Sequence, residues 1–313
     1  MKSKSTLILG GVFVLLVVIF LVTSYKPREK SKGATPLFTD VVKPVIDKLE
    51  INSKKNGIVV LEKRNSIWYI TSPFEYKASN VAVEQTITGM LSISVDGQIS
   101  SRPEAQEKFE VGDSKGISIK AYSSGNCVLD AVIGKHTVDL THTYARMRDS
   151  NDITIWRGLF ARQIDKDADE WRDKNIYSFN ADDIMNIKVT KGKEIRELAL
   201  SDTTWIYTEN GKEKPVVVSK VKQFVNLIAT LSCDTFASED DIPRAAGKEP
   251  DTLVSFTVRN GDTHSFHVWT PGEEDNNRYL VREIDGDVLF RFYNYRGSQL
   301  VMDYEKLKPD DEG

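Results

Sequence analysis

Four histidines are the side chains in this 313-residue chain best suited to metal binding or proton transfer. His136 and His142 flank Asp139 across a predicted turn, within reach of one another for a metal ion. No HExxH pattern and no Cys/His spacing supports such a site, however. His264 and His267 stand three apart in a predicted strand, so they point to opposite faces and cannot chelate together. For nucleophilic chemistry there is no G-x-S-x-G elbow, and Ser123-Ser124-Gly125 reads as a hairpin turn. Neither phosphate-cradling motif, G-x-x-x-x-G-K-[ST] or G-x-G-x-x-G, occurs. The acid pairs Asp182-Asp183 and Asp240-Asp241 read as helix starts and solvated loops rather than acid/base dyads. No catalytic, cofactor-binding or metal residue is therefore assigned, and no cofactor is expected.

The elements around these residues occur twice, in the same order. Ile46 to Arg157 contains IDKLEINSK, SIWYI, a helical stretch ending GMLS, ISIKAYSSGN and YARMRDSNDITIW. Ile184 to Tyr293 contains IMNIKVTKG, TTWIY, a helical stretch ending ATLS, VSFTVRNGD and YLVREIDGDVLFR. Trp68 lies 22 residues after Ile46 and Trp205 lies 21 after Ile184. Tyr144 to Asp152 and Tyr279 to Asp287 each span eight positions. A ring held at one place in two copies of a plan reads as core, because it buries roughly 150–250 Å². Trp68, Trp205 and Trp171 are the expected repeat core, with the indole N–H groups of Trp68 and Trp205 each meeting a carbonyl.

Period-two apolar runs predict strands near 45–52, 57–63 and 67–71, then near 117–122, 127–133, 141–148 and 153–157. The second copy repeats them near 184–190, 195–200, 205–208, 253–259 and 263–270, with a final hairpin over 278–293. Ser79 is the expected cap of a helix burying Val83, Ile87, Met90 and Leu91, and Ser219 aligns with it ahead of Val221, Phe224, Ile228 and Leu231. Residues 97–116 read as a polar connection, and 165–174 as a charged helix turning Trp171 and Ile176 inward. The fold class is α+β: tandem duplicated modules, each a mostly antiparallel sheet with one packed helix, behind an N-terminal transmembrane helix. The divisions are an anchor over 1–25, a juxtamembrane tether over 26–43, a first module over 44–164, a connector over 165–183, a second module over 184–302 and an acidic tail over 303–313.

Leu7 to Tyr25 runs 19 residues without a charge, through Leu15 and Phe20. As a helix it would span about 28 Å, near the thickness of a bilayer's hydrocarbon. No A-x-A-like cleavage site precedes Tyr25, so a retained anchor in the lipid bilayer is expected rather than a removed signal. Flanking Lys2 and Lys4 oppose Lys26, Arg28, Lys30 and Lys32 and do not set topology. A short leading tail before a large hydrophilic body points to a single pass of the inner membrane, with the bulk in the periplasm or otherwise outside the cytoplasm. Removing the six bases and one acid of the first 32 residues leaves 36 bases against 45 acids, a body near −9. Such a surface repels phosphate backbones and excludes nucleic acid as a partner. Cys127 and Cys233 read as two small buried thiols, with one bridge between modules as the alternative.

Together these features resemble a bacterial family known as domain of unknown function 4340. The likeness covers about Pro44 to Met302. It is carried by the opening Ile184–Gly192, the strands at Trp68 and Trp205, and WRDKNIYSFNADDI at Trp171–Ile184, where Tyr177 takes a usually aliphatic place. The resemblance implies a companion of ABC-type transporter components of the gliding-motility kind, placed outside the membrane, and carries over no site residues. The expected function is a non-catalytic, membrane-anchored envelope protein, an accessory or scaffold binding ABC-type transporter subunits. The alternatives are an envelope hydrolase acting on glycan or peptide, and a module binding lipid or a small ligand.

Overall fold

The computed structural model describes residues 34–38, 44–272 and 278–310. The expected anchor, with Leu7, Leu15, Phe20 and Tyr25, lies outside the described residues, as does most of the tether. Among the described residues no helix is long and apolar enough to cross a membrane. The chain divides into two compact units between Ala168 and Asp169, inside the stretch expected to connect them.

In the first unit the chain forms β1 (Thr35–Pro36), β2 (Lys48–Ser53), β3 (Gly57–Arg64), β4 (Ile67–Ser72) and β5 (Tyr76–Lys77). Helix α1 (Asn80–Leu91) precedes β6 (Ser94–Ser100) and α2 (Gln106–Phe109). Four strands follow, β7 (Ile117–Ser123), β8 (Asn126–His136), β9 (His142–Met147) and β10 (Ile153–Arg157), then α3 (Phe160–Ile164), and α4 (Ala168–Trp171) straddles the division between the units. All pairings are antiparallel, and the strand order is β1-β6-β10-β9-β8-β7-β2-β3-β4-β5. Alternation sorts the side chains: Leu49 and Ile51 of β2, Leu61 of β3, Ile70 of β4 and Ile119 and Ala121 of β7 are buried on one face. Each larger aliphatic there contributes about 1.5–3 kcal/mol by leaving water. The other face of β2 carries Lys48, 3.1 Å from Glu50 and 3.2 Å from Glu62.

The second unit contains β11 (Ile184–Lys191), β12 (Glu194–Ser201), β13 (Thr204–Glu209) and β14 (Lys212–Lys214), then α5 (Val218–Ala229). After it come β15 (Thr235–Phe236), α6 (Asp241–Gly247), β16 (Thr252–Val258), β17 (Thr263–Trp269), β18 (Arg278–Glu283), β19 (Phe290–Tyr293) and α7 (Asn294–Gly297). Its order, β14-β13-β12-β11-β16-β17-β18-β19-β15, is that of the first sheet read from β5 to β6. Ile187 sits between Leu198 and Phe256 as Leu49 sits between Leu61 and Ala121. Two mostly antiparallel sheets with few helices are thus built on one plan.

The helices meet their sheets through apolar stripes. Val83, Ile87 and Met90 of α1 are buried, and α1 packs on β4 and α3. Ser79 caps α1, its hydroxyl accepting the Ala82 N–H at 3.3 Å. Ser79→Ala should cost about 1 kcal/mol, read as a lowered urea midpoint at unchanged slope. Ser219 does not cap α5. The helix starts one residue earlier, at Val218, and Val217 at its cap gives its N–H to the Leu307 carbonyl at 2.9 Å. Val221, Phe224, Val225 and Ile228 form the buried stripe that packs on β11 and β13.

Several sequence expectations give way here. The polar stretch 97–116 holds most of β6, whose backbone pairs with β10 although its side chains do not alternate in hydropathy. Only Ala168–Trp171 is helical within 165–174; Trp171 is buried and Ile176 half-buried. Trp68 is fully buried, but Trp205, at the same place in its hairpin, is half-buried, and Tyr207 is the buried ring of that strand. Both cysteines are free; Cys233 is buried, whereas Cys127 is exposed near the start of β8.

Candidate functional site

The sheet end where β9 begins and β10 finishes gathers the first unit's chemically capable groups. The strand β8 ends at His136 and β9 restarts at His142, so the five-residue turn Thr137–Thr141 projects from the sheet. The two imidazoles do not converge on a common ligand. His136 Nδ1 meets Thr143 Oγ1 at 3.2 Å, whose hydroxyl donates in turn to the Gly158 carbonyl at 2.7 Å. Burial, helped by nearby Arg162, pushes the His136 imidazolium's acidity up, so its pKa falls below the ordinary value. Among the described residues no group of three His, Cys, Asp or Glu side chains could hold a metal ion.

His142 belongs to a different chain of bonds. Its Nε2 lies 2.8 Å from Asp96 Oδ2, and its Nδ1 lies 2.6 Å from Thr141 Oγ1. Arg157 Nε holds the other Asp96 oxygen at 2.8 Å. Burial opposes the Asp96 charge, yet Arg157 and His142 outweigh it and keep that carboxyl below its usual range. One imidazole nitrogen thus faces the carboxylate and the other the threonine hydroxyl. Hydroxyl, imidazole and carboxylate in series is the arrangement a hydrolase uses to activate a nucleophile. Here the Thr141 N–H goes to Asp139 and the Gly158 N–H to the Thr141 carbonyl. Neither of these two N–H groups is left to bind an oxyanion, and the chain of bonds braces the turn against β6.

In the second unit His264 and His267 occupy opposite faces of β17, as their spacing predicts. His264 stacks on Phe256 at 5.3 Å and lies 4.8 Å from Phe179 and 5.6 Å from Tyr177. Burial, then the neighbouring Glu283 charge, pushes the Tyr177 hydroxyl pKa well up. Tyr177 and His264 border a polar recess of about 250 Å³ that also includes Glu283 and Asp285. Asp241, expected in a solvated loop, is buried instead; it accepts from the Ser238 N–H and hydroxyl at 2.9 Å and lies 3.2 Å from Arg291. Trp68 gives its indole N–H not to a carbonyl but to Glu84 Oε1, at 2.8 Å.

Two surface features have the geometry of binding sites. Helix α5 and the chain from Tyr295 to Leu307 frame a groove of about 410 Å³, floored by Phe224, Leu227, Met302 and Leu307. The other is the rim of the first sheet at β6. Among the described residues β1 covers only Ser94 and Val95 of this strand, and no strand lies beyond Asp96–Ser100. The open segment reads D-G-Q-I-S, without the lysine or proline that commonly blocks such a rim, and Ile99 on it is exposed. At the equivalent place in the second unit the outermost strand, β15, has only two residues, joined to β19 with flanking bonds from the Asp234 and Ala237 N–H groups.

A pair of like-ordered antiparallel sheets with few helices defines a β-rich α+β tandem protein. The chain belongs to the family described as Domain of unknown function (DUF4340), which matches residues 68–250, more than half its length. No curated protein and no solved structure matches it.

Proposed function

We propose that the chain is a non-catalytic, membrane-tethered envelope protein that binds a protein partner, as an accessory component of an ABC-type transport complex. The observation that carries this reading is the rim of β6 at Asp96–Ser100, unpaired on its outer side among the described residues, which can accept a partner strand through main-chain hydrogen bonds. The uncharged run Leu7–Tyr25 supports attachment to the inner membrane with the body on its outer side. The transporter partner is supported by the likeness to the family, which implies that company.

Gentle detergent extraction of the full-length chain from membranes should recover it in a heteromeric complex containing transporter membrane subunits. Ile99→Lys, a charge placed on the rim, should strip the partner without unfolding the chain. Recovery of the chain as a lone monomer would sink the reading. A second reading, a binder of lipid or a small apolar ligand, is favoured by the α5 groove, whose volume and apolar floor suit one acyl-like segment.

A further inference from the structure

The turn between β8 and β9 exposes aliphatic side chains that its fold does not require. Val138 is 102% exposed and Leu140 is 54% exposed, on either side of Asp139. The turn is nonetheless tightly bonded. Thr137 Oγ1 donates to Asp139 Oδ1 at 2.6 Å, and the same carboxylate oxygen accepts the Thr141 N–H at 3.2 Å. The Leu140 N–H reaches the Thr137 carbonyl at 3.0 Å, and the Thr137 N–H reaches the His142 carbonyl at 2.9 Å. The bond from Thr141 to His142, and from His142 to Asp96, continues this bracing into β6.

Leu140 has φ +55°, the left-handed region that glycine or asparagine enters more readily. A leucine there is disfavoured by the backbone and left in water by the fold. The second unit shows that neither aliphatic is needed to connect these strands: its β17–β18 connection, residues 270–277, reads T-P-G-E-E-D-N-N.

We propose that Thr137–Thr141 is a preformed docking knob for a protein partner that offers two aliphatic-sized pockets on either side of a cationic side chain. It rests on the protein-binding reading above and places a second contact on the first unit. Pre-ordering lowers the entropy lost on association, so two small apolar anchors can carry measurable affinity. The charge of Asp139 selects the partner's class. Its bonds to Thr137 and Thr141 hold the carboxyl down, to about 2, so it stays ionised at any physiological pH. An ionised acid at the tip between the two anchors opposes insertion among lipid tails and favours a basic protein cleft.

A photo-crosslinking residue at position 138, in the full-length chain in its native membranes, tests this. One discrete protein adduct is expected, reduced about tenfold by Leu140→Ser. Asp139→Asn keeps an oxygen for Thr137 and Thr141 but removes the charge, and should reduce the adduct about fivefold. Thermal melting of both variants should match the parent, which excludes collapse of the turn as the cause. Adducts to lipid alone, yields no greater than from a probe at exposed Ile58, or indifference to Asp139→Asn would each overturn the proposal. If the complex survives extraction while these outcomes appear, the knob is wrong and partner binding stands; a lone monomer removes the reading beneath it.

Discussion

Replacing Trp68 by alanine should destabilise the first unit by about 4 kcal/mol and lower its melting temperature by about 12 °C. The indole is wholly buried, and its N–H bonds to Glu84 Oε1, the same oxygen that takes Lys63 Nζ at 2.7 Å. Burial alone would push the Glu84 carboxyl up, but the bonds from Lys63 and Trp68 outweigh it and hold it below the usual range. Alanine therefore opens a cavity under α1 and removes one of the two donors that stabilise this charge. Trp68→Phe keeps most of the ring and loses the N–H, so a loss of about 1–2 kcal/mol is expected. Trp205→Ala, at the matching position of the second unit, should cost about 1 kcal/mol because that ring is only partly buried. Equal losses for the two alanine variants would refute this difference in packing.

Arg146→Met should cost about 3 kcal/mol and loosen residues 103–116 more than the rest of the first unit. Arg146 is 6% exposed, an unusual place for a guanidinium. Its Nε donates to the Val111 carbonyl at 3.2 Å, and Nη1 lies 3.0–3.3 Å from the carbonyls of Met147, Arg148 and Ser150. The side chain thus gathers main-chain acceptors from two separate turns. Asp113, 3.9 Å away and largely in solvent, adds little to the balance. Methionine fills much of the space but donates nothing, and lysine's single ammonium cannot replace the planar fork. Hydrogen exchange should show the amides of 103–116 opening faster in Arg146→Met. Unchanged exchange there with a uniform loss elsewhere would disprove the assigned role.

What could be read from residues alone follows a physical divide. Strands such as β7, with Ile117, Ile119 and Ala121 turned inward, announce themselves because burial on one face enforces period two. The landmarks shared by the two halves led to the common strand order for the same reason. β6 escaped notice because a rim strand is held by backbone bonds, which leave no mark on side-chain hydropathy. The cap of α5 escaped because its partner carbonyl belongs to Leu307, about ninety positions away in the chain.

The candidate sites were less legible still. Arg146 sits in an alternating strand where a charge reads as outward-facing, and its acceptors are brought to it only by the folded turns. His142 and Asp139 were considered for metal binding, whereas the geometry commits them to Asp96 and to the threonines. The one signal available for the projecting turn was local: Val138 and Leu140 flank an acid where turns ordinarily place small polar residues.

The shared strand order has a kinetic consequence. In each sheet the leading four-stranded meander joins the rest through β2 against β7, or β11 against β16, with Ile51 opposite Ile119 and Val189 opposite Val254. At ribosomal speeds of about 5–20 residues per second, the later strand emerges several seconds after the earlier one. During that interval β2, and later β11, has one flank unclosed, and non-local pairing of this kind is intrinsically slow. The time at risk of aggregation during biosynthesis is therefore written into connectivity, and slowing translation would lengthen it without altering a single residue.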